Sequence, residues 1–430
     1  MLSRVKIQNF KSIRDATLTF HYAQKKAPNG YEKLPVHPFI ESAGMRLVPC
    51  MALYGPNASG KTAVLHAIAS LVSFAQTNRP GFNPPAFFRA FLLKRLEPRT
   101  TRIELEWTDA EHRFCYAAAV TEDRITEETL SADGKLKFRL QEGSLALTSE
   151  EGRIAVEQGL RLQCFDARTK KQLRPALPVI AENFPGCDSE INLAHRSLTN
   201  GIRHFDESLP PETGVALLAD TFDLPTESER ESAALALISK YLQKLDVRIR
   251  RIEMRKTPQP VAALPSEVLP ILPAFTGNGV LSMSPGTVFT TFHLAEDGAE
   301  IPFEFETESA GTRKLFGLLA FLLTVVRTGG TVLADDFDQS LHPALLHEIV
   351  KLFQVREYND RKSQFVFTLH NTELLASDRL SVSEVAFVSQ SGFRGTQVRR
   401  LSDFEDVRNV DNFRKRYLTG YYGAIPSPFI

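Results

Sequence analysis

The sequence is poor in cysteine, has a single tryptophan and carries no net charge. Its four cysteines, Cys50, Cys115, Cys164 and Cys187, are widely spaced and include no CxxC pair. That argues against a zinc ribbon or a thioredoxin-like dithiol and leaves free thiols in a reducing compartment. The 51 Lys+Arg balance 51 Asp+Glu, so bulk positive charge does not hold the chain to nucleic acid; only a local basic patch remains open. The longest apolar run, near Leu315 to Val326, is too short to span a bilayer. The opening MLSRVKIQNFKSI has charges set into a strand pattern, unlike a signal peptide. A cytoplasmic protein with no membrane contact is expected. There is no internal repeat and no sustained heptad pattern, which excludes a long coiled coil. The ten histidines contain no HExxH, zinc-finger or HNH-like cluster.

What is present is ordinary globular composition. Hydrophobic residues make up 43% and charged residues 24% of 430 positions, enough for a sizeable core in one large domain or two to three smaller ones. Residues 2–20 read as two strands. The stretch 22–44 reads as a loop, and Leu47–Leu53 as a short apolar strand. Thr62 to Phe74 has helical spacing at Val64, Leu65, Ile68 and Leu71. Residues 77–100 look irregular. Alternating runs from Arg102 to Gln163 (IELEW, FCYAAAV, KLKFRL) suggest an antiparallel sheet. Residues 165–225 show no clear period. Glu227–Lys244 reads as a helix opened by a Thr226/Glu229 capping box, and Asp246–Lys256 as a strand. A connector with five prolines follows at 257–274. Two strands, Val288–Leu294 and Ile301–Phe305, precede an apolar helix at Arg313–Arg327. Then come strand Thr331–Ala334, helix Pro343–Val355, strand Gln364–Thr368, a short helix near Thr372–Ala376 and strand Glu384–Val388. This alternation predicts a parallel α/β sheet.

The strongest local signal is Gly55-Pro56-Asn57-Ala58-Ser59-Gly60-Lys61-Thr62, a full GxxxxGK[ST] between an apolar strand and a helix. Glycines let the backbone N–H groups curl onto phosphate oxygens, and the helix start adds positive potential. Lys61 would reach the β- and γ-phosphates and Thr62 would ligate Mg²⁺. The bland alternative is a chance glycine-rich turn. A second signal is the apolar strand ending in Asp335-Asp336. Asp335 fits a carboxylate of the Mg²⁺ shell, and Asp336 a base that polarises the attacking water. Read alone, the pair could equally cap the next helix. Third, Glu308-Ser309-Ala310-Gly311-Thr312 opens the apolar helix with small residues, where Ser309 is either a phosphate contact or a plain N-cap. Fourth, His370 follows a buried strand and could sense a γ-phosphate, although a lone histidine is usually structural.

The order of these signals is that of ABC, SMC and RecF heads rather than of Ras-like or RecA-like enzymes. The segments IQNFKSI, GPNASGKT, ESAGTRKLFGLL, DDFDQSLHP, FTLHNTELL and YLTGYYGAIP resemble abortive-infection ATPases of the AbiL and RloA-like type, with a poorly matching middle at about 77–285. The resemblance implies an α/β, ABC/SMC-type P-loop NTPase head with a mixed sheet, an antiparallel β subdomain and an inserted α+β middle region. Its parts would be an N-terminal lobe at 1–76, a β-rich and inserted part at 77–285 and a C-terminal lobe at 286–430. It implies ATP and Mg²⁺ as ligands. It also implies a head-to-tail ATP-sandwich dimer or higher oligomer of the chain with itself, and anti-phage defence beside a separate effector such as a nuclease. By position, the phosphate loop falls on Gly55–Thr62, the signature on Ser309 and Gly311, and the Mg²⁺ acid on Asp335. The base falls on Asp336, the dimer-facing loop on Asp338, and the switch on His370. The family has Glu where this chain has Asp336. One methylene less would set the carboxylate back by about 1 Å, a misplacement that can cost about 100-fold in rate. Slow hydrolysis, with ATP as a clamp, is the expectation. Gln76 is a candidate for the Q-loop glutamine.

Only 60 residues follow His370, which does not fit a fused TOPRIM nuclease of the kind some related ATPases carry. The best basic patch is Arg248, Arg250, Arg251, Arg255 and Lys256. It reads as a solvated strand face balanced by Asp246 and Glu253 sooner than as a nucleic-acid site, because no aromatics are interleaved. The rival function is a RecF- or SMC-like ATPase that binds DNA in repair or chromosome maintenance, which would show salt-dependent DNA affinity. A third is a nucleotide-binding scaffold without useful turnover.

Overall fold

The alternation at the start of the chain becomes two paired strands, β1 (Leu2–Phe10) and β2 (Ile13–Thr19). The computed structural model describes residues 1–24, 33–76, 100–148, 153–257, 286–376, 380–405, 407 and 412–425. Contacts divide the chain into two units, Met1–Asp206 with Thr324–Ile430, and Glu207–Leu323.

In the first unit β3 (Ile40–Ser42) and β4 (Met45–Leu47) form a small separate ladder. The single strand expected over Leu47–Leu53 is two pieces. β4 ends at Leu47, and β5 (Cys50–Tyr54) starts after Pro49, which has no N–H to give a ladder. α1 (Lys61–Gln76) buries Val64, Leu65, Ile68 and Leu71, the face its spacing predicts. The expected antiparallel sheet is built by β6 (Thr101–Asp109), β7 (His112–Val120), β8 (Ile125–Ala132), β9 (Lys135–Gln141) and β10 (Ser144–Leu147). It stops at Leu147 rather than reaching Gln163, because α2 (Arg153–Gln163) is a helix that buries Val156 and Leu160, four residues apart. α3 (Ala176–Asn183), α4 (Ser189–Gly201) and β11 (Ile202–Phe205) fill the stretch without a readable period.

The second unit opens with α5 (Pro211–Ala219) and α6 (Glu227–Lys244). Thr226 and Glu229 form the predicted capping box of α6. β12 (Arg251–Thr257), β13 (Gly286–Leu294) and β14 (Glu300–Glu304) make an antiparallel sheet in that order. The strand expected from Asp246 begins only at Arg251, since Asp246 takes a left-handed φ of 60° that breaks an extended run. The connector at 257–274 lies outside the described residues apart from Thr257, and the irregular segment 77–100 apart from Thr100. α7 (Ala310–Thr328) begins here. Phe289, Phe305 and Phe316 pack edge to face or tilted, with ring centroids 4.9 to 5.7 Å apart.

The chain returns to the first unit through β15 (Thr331–Ala334), α8 (Pro343–Gln354), β16 (Gln364–Thr368), α9 (Glu373–Ala376), β17 (Val385–Gln390), β18 (Thr396–Arg400) and α10 (Phe413–Leu418). His342 of the SLHP segment caps α8, its Nδ1 accepting the Ala344 N–H, with Pro343 in the first turn. Two large sheets result. One is antiparallel in the order β10-β9-β8-β7-β6-β1-β2. The other runs β11-β15-β16-β5-β17-β18, parallel except for β18. α1 contacts β1 and β6 of the first and β11, β15 and β16 of the second. The core between them includes Trp107, Phe114, Phe138, Leu65 and Val366. In the second sheet β16 separates β5 from β15, and all three are parallel. The phosphate loop, the acid pair and His370 therefore leave the sheet at the same edge.

Candidate functional site

β5 is buried at every residue, and the chain turns sharply after Tyr54. Ala58 has φ 61° and Gly60 φ 103°, so the loop curls through the left-handed region. Two glycines are required by space. A Cβ on Gly55 would lie 2.1 Å from the Val388 carbonyl oxygen, and one on Gly60 would lie 2.1 Å from Thr396 Oγ1. Thr396 of β18 pins the loop from outside, its Oγ1 2.9 Å from Ser59 O and 2.8 Å from Ser12 Oγ. Lys61 opens α1 and folds back, donating to Gly55 O at 2.8 Å and Pro56 O at 3.3 Å. Burial lowers the Lys61 ammonium's pKa, while Asp336, Asp335 and Asp338 pull it back up.

The acids follow β15. Ala334 pairs with Phe367, which brings Asp335 and Asp336 beside Thr368. Thr368 is fully buried. Its Oγ1 accepts the Asp336 N–H at 2.7 Å and lies 2.5 Å from Asp335 Oδ1 and 3.2 Å from Asp336 Oδ1. His370 Nε2 stands 3.3 Å from Asp336 Oδ1. Asp338 Oδ2 accepts the backbone N–H groups of His370 and Asn371 at 2.9 and 2.6 Å. The loop after the acids and the loop after β16 are thus tied through one carboxylate.

These groups converge on a cavity of about 520 Å³ lined by Lys11, Ser12, residues 56–63, Asp336 and His370. Of the residues expected at the site, Pro56, Asn57, Ala58, Ser59, Gly60, Lys61, Thr62, Asp336 and His370 line it. Gly55 and Asp335 are not among the lining residues; Gly55 O accepts from the Lys61 ammonium, and Asp335 meets Thr368. Thr62 would offer a hydroxyl and Asp335 a carboxylate, oxygen donors of the hard kind that Mg²⁺ takes. Ser309 and Gly311 belong to the second unit. There Ser309 is exposed and caps α7, its Oγ accepting the Thr312 N–H at 3.1 Å. Gln76 sits at the far end of α1, donating to Thr199 O, and is not among the lining residues.

Local motifs missed several groups. Lys11 and Ser12 come from the β1–β2 turn, and Lys11 Nζ is 2.5 Å from His66 Nδ1. Thr368 and Thr396 reach the site through strand pairing alone. Asp206 follows β11, whose Phe205 pairs with Ala334, so Asp206 and Asp335 leave neighbouring strand ends. Of the basic segment, Arg248 and Arg250 precede β12, and the three cations on the strand have acidic partners, of which only Glu253 is expected from the sequence. Arg251 pairs with Glu253 and Glu300, Arg255 with Glu253, and Lys256 with Glu227 and Glu231. Among the described residues no helix is long and apolar enough to cross a membrane.

A family model described as "AAA domain, putative AbiEii toxin, Type IV TA system" matches residues 50–376. No curated protein matches the sequence. SMC heads are among the solved structures that match the chain. One, bound to the C-winged helix domain of ScpA, is 12% identical over 93% of this chain and 96% of its own, with a TM-score of 0.47. The SMC head of Thermotoga maritima is 13% identical over 93% and 98%, at 0.41. The Smc head with coiled coil and joint from Pyrococcus yayanosii is 10% identical over 98% and 99%, at 0.43. The features expected of the fold, a glycine-rich loop between a buried strand and a helix, a largely parallel sheet and a separate antiparallel sheet, are observed.

Proposed function

The chain belongs to the AAA-domain family whose model covers residues 50–376, and on that premise we propose that it is an Mg²⁺-dependent ATPase acting as a nucleotide-driven switch in anti-phage defence. One observation carries the catalytic part of this reading: the phosphate loop, Asp336 and His370 line a single cavity. The curled loop offers backbone N–H groups and Lys61 to the phosphates. Mg²⁺, held by Thr62 and through Asp335, would neutralise charge on the transferred phosphoryl group. Asp336 is placed to polarise water, and His370, 3.3 Å from its carboxylate, orients it and senses the γ-phosphate. Because Asp336 is shorter than the glutamate the resemblance implies, turnover is slow and ATP serves as a clamp. Two copies sandwich two nucleotides, with the exposed Ser309 and the half-buried Gly311 of one facing Lys61 of the other. That assembly holds or releases a separate effector such as a nuclease. The family's toxin-system description supports the defence role. The DNA-repair reading has less support, because acids neutralise Arg251, Arg255 and Lys256 of the basic segment.

The test is steady-state phosphate release from ATP by the purified chain against Lys61→Ala. The expected result is slow turnover that the substitution abolishes. Equal turnover in both proteins would remove the phosphate loop from the chemistry. Binding of ATP by the wild type without any turnover would convert the enzyme into a nucleotide-gated scaffold.

A further inference from the structure

The signature residue Ser309 is preceded by a glutamate, and a carboxylate beside a segment meant to receive phosphate is a liability. An unrestrained Glu308 could turn onto the first-turn amides of α7, which favour a negative charge. It would then occupy the place of the incoming anion and repel it. The second unit keeps the carboxylate elsewhere. Thr291 Oγ1 donates to Glu308 Oε1 at 2.6 Å, and His293 Nε2 lies 2.7 Å from the same oxygen. Thr291 and His293 are two apart on β13, so they share a face of the sheet. Thr291 is fully buried, and the Glu308 side chain is only 12% exposed. The His293 ring is set in turn by the Phe303 ring of β14, edge-on at 4.9 Å. Meanwhile Ser309 and Ala310 are exposed, and Ser309 rather than Glu308 caps the helix.

We infer that Thr291 and His293 are positioning residues for the signature: they hold the Glu308 carboxylate on the β13 face and so leave the start of α7 open to a nucleotide phosphate carried by a second copy of the chain. This rests on the sandwich reading above. The three groups form a carboxylate clamp, and its role is to withhold a competing charge, not to touch the nucleotide. The clamp therefore makes a prediction of opposite sign for its two halves. Loss of the histidine is harmful, and loss of the glutamate's charge relieves that harm.

The experiment compares the full-length wild type, His293→Ala, Thr291→Val, Glu308→Gln and the His293→Ala/Glu308→Gln double variant. Affinity for a fluorescent ATP analogue reads the phosphate loop, and turnover as a function of protein concentration reads the assembly. His293→Ala is expected to bind the analogue as the wild type does and to lose about tenfold in turnover. Glu308→Gln in the same chain is expected to bring turnover back to within about twofold of the wild type. Thr291→Val, which keeps the side chain's shape, shows a smaller loss with the same relief by Glu308→Gln. Wild-type turnover in His293→Ala overturns the inference. So does a double variant that binds nucleotide normally yet stays as slow as His293→Ala. Ser309→Arg separates the two levels. If it leaves turnover and its concentration dependence intact, the sandwich reading fails and this inference with it. If it abolishes turnover while His293→Ala changes nothing, only the clamp fails.

Discussion

One hydroxyl at the end of β16 positions both acids of the site. Thr368 Oγ1 accepts the Asp336 N–H and has a single proton to give, and the shorter contact is to Asp335 Oδ1. Asp336 holds a left-handed φ of 42°, a conformation that costs about 1–2 kcal/mol for a residue with a Cβ. The bond from its N–H offsets part of that strain. Thr368→Val keeps the shape and removes both the acceptor and the donor. The expected outcome is a fall in kcat of about 10- to 100-fold with the KM for ATP nearly unchanged, because the acids shift while the phosphate loop does not. Thr368→Ser restores the hydroxyl and should retain most of the rate. Steady-state kinetics on both variants decide it. Equal losses in Ser and Val with a raised KM would make Thr368 a packing residue only.

Elements differ in how far local sequence determines them, and α3 is the clearest case. Its N-cap position is Pro175, which makes no side-chain cap. The cap comes instead from Glu128 of β8, buried completely, which accepts the Ala176 and Leu177 N–H groups at 2.7 and 2.8 Å together with Tyr116 Oη and Gln172 Nε2. No local rule finds a cap 48 residues away. α2 escaped notice for a related reason: Gly159 interrupts its helical pattern, yet a Cβ there would meet the Phe184 ring at 2.4 Å. By contrast β15, β16 and α6 match their expected bounds, because buried parallel strands read as unbroken apolar runs and the capping box marks a helix start. The site divides along the same line. The phosphate loop, Asp336 and His370 are legible as short motifs, while Lys11, Ser12, Thr368 and Thr396 arrive through pairings that span the chain. The cross-chain cap is testable. Glu128→Gln turns an amide N–H₂ towards two donors, leaving them unmet. It should lower the unfolding free energy by about 3 kcal/mol, read as a drop in the urea midpoint followed by far-UV circular dichroism. An unchanged midpoint would show that α3 needs no such cap.

The 51 cations match the 51 acids in number, and among the described residues several buried groups pull the stability in opposite directions as pH changes. Burial lowers the pKa of His21, His37, His66, His195 and His204. Folding favours their neutral forms, so the stability they contribute is present above the ordinary value of 6.5 and is lost as pH falls. The buried N-terminal amine, lowered from 8.0 to about 6, acts in the same sense between those values. Glu384 opposes them. It is fully buried, and desolvation raises it from 4.5 to about 7 against the hydrogen bonds from Ser381 and Gln354. Between 4.5 and about 7 the folded chain keeps a proton that the unfolded chain has released. Its contribution is therefore complete below 4.5 and is lost as pH rises through about 7, by roughly 3 kcal/mol. Glu384→Gln keeps the size but cannot ionise, and whatever its amide N–H₂ costs against the Ser381 and Gln354 donors is the same at every pH. The difference in unfolding free energy between the variant and the wild type should then grow in favour of the variant from about pH 4.5 to about pH 7 and stay level above that. Subtracting the two proteins cancels the histidines and the amine, which both share. Urea unfolding at a series of pH values measures the difference. A gap that is the same at every pH would mean that Glu384 ionises in the folded chain as it does in the unfolded one.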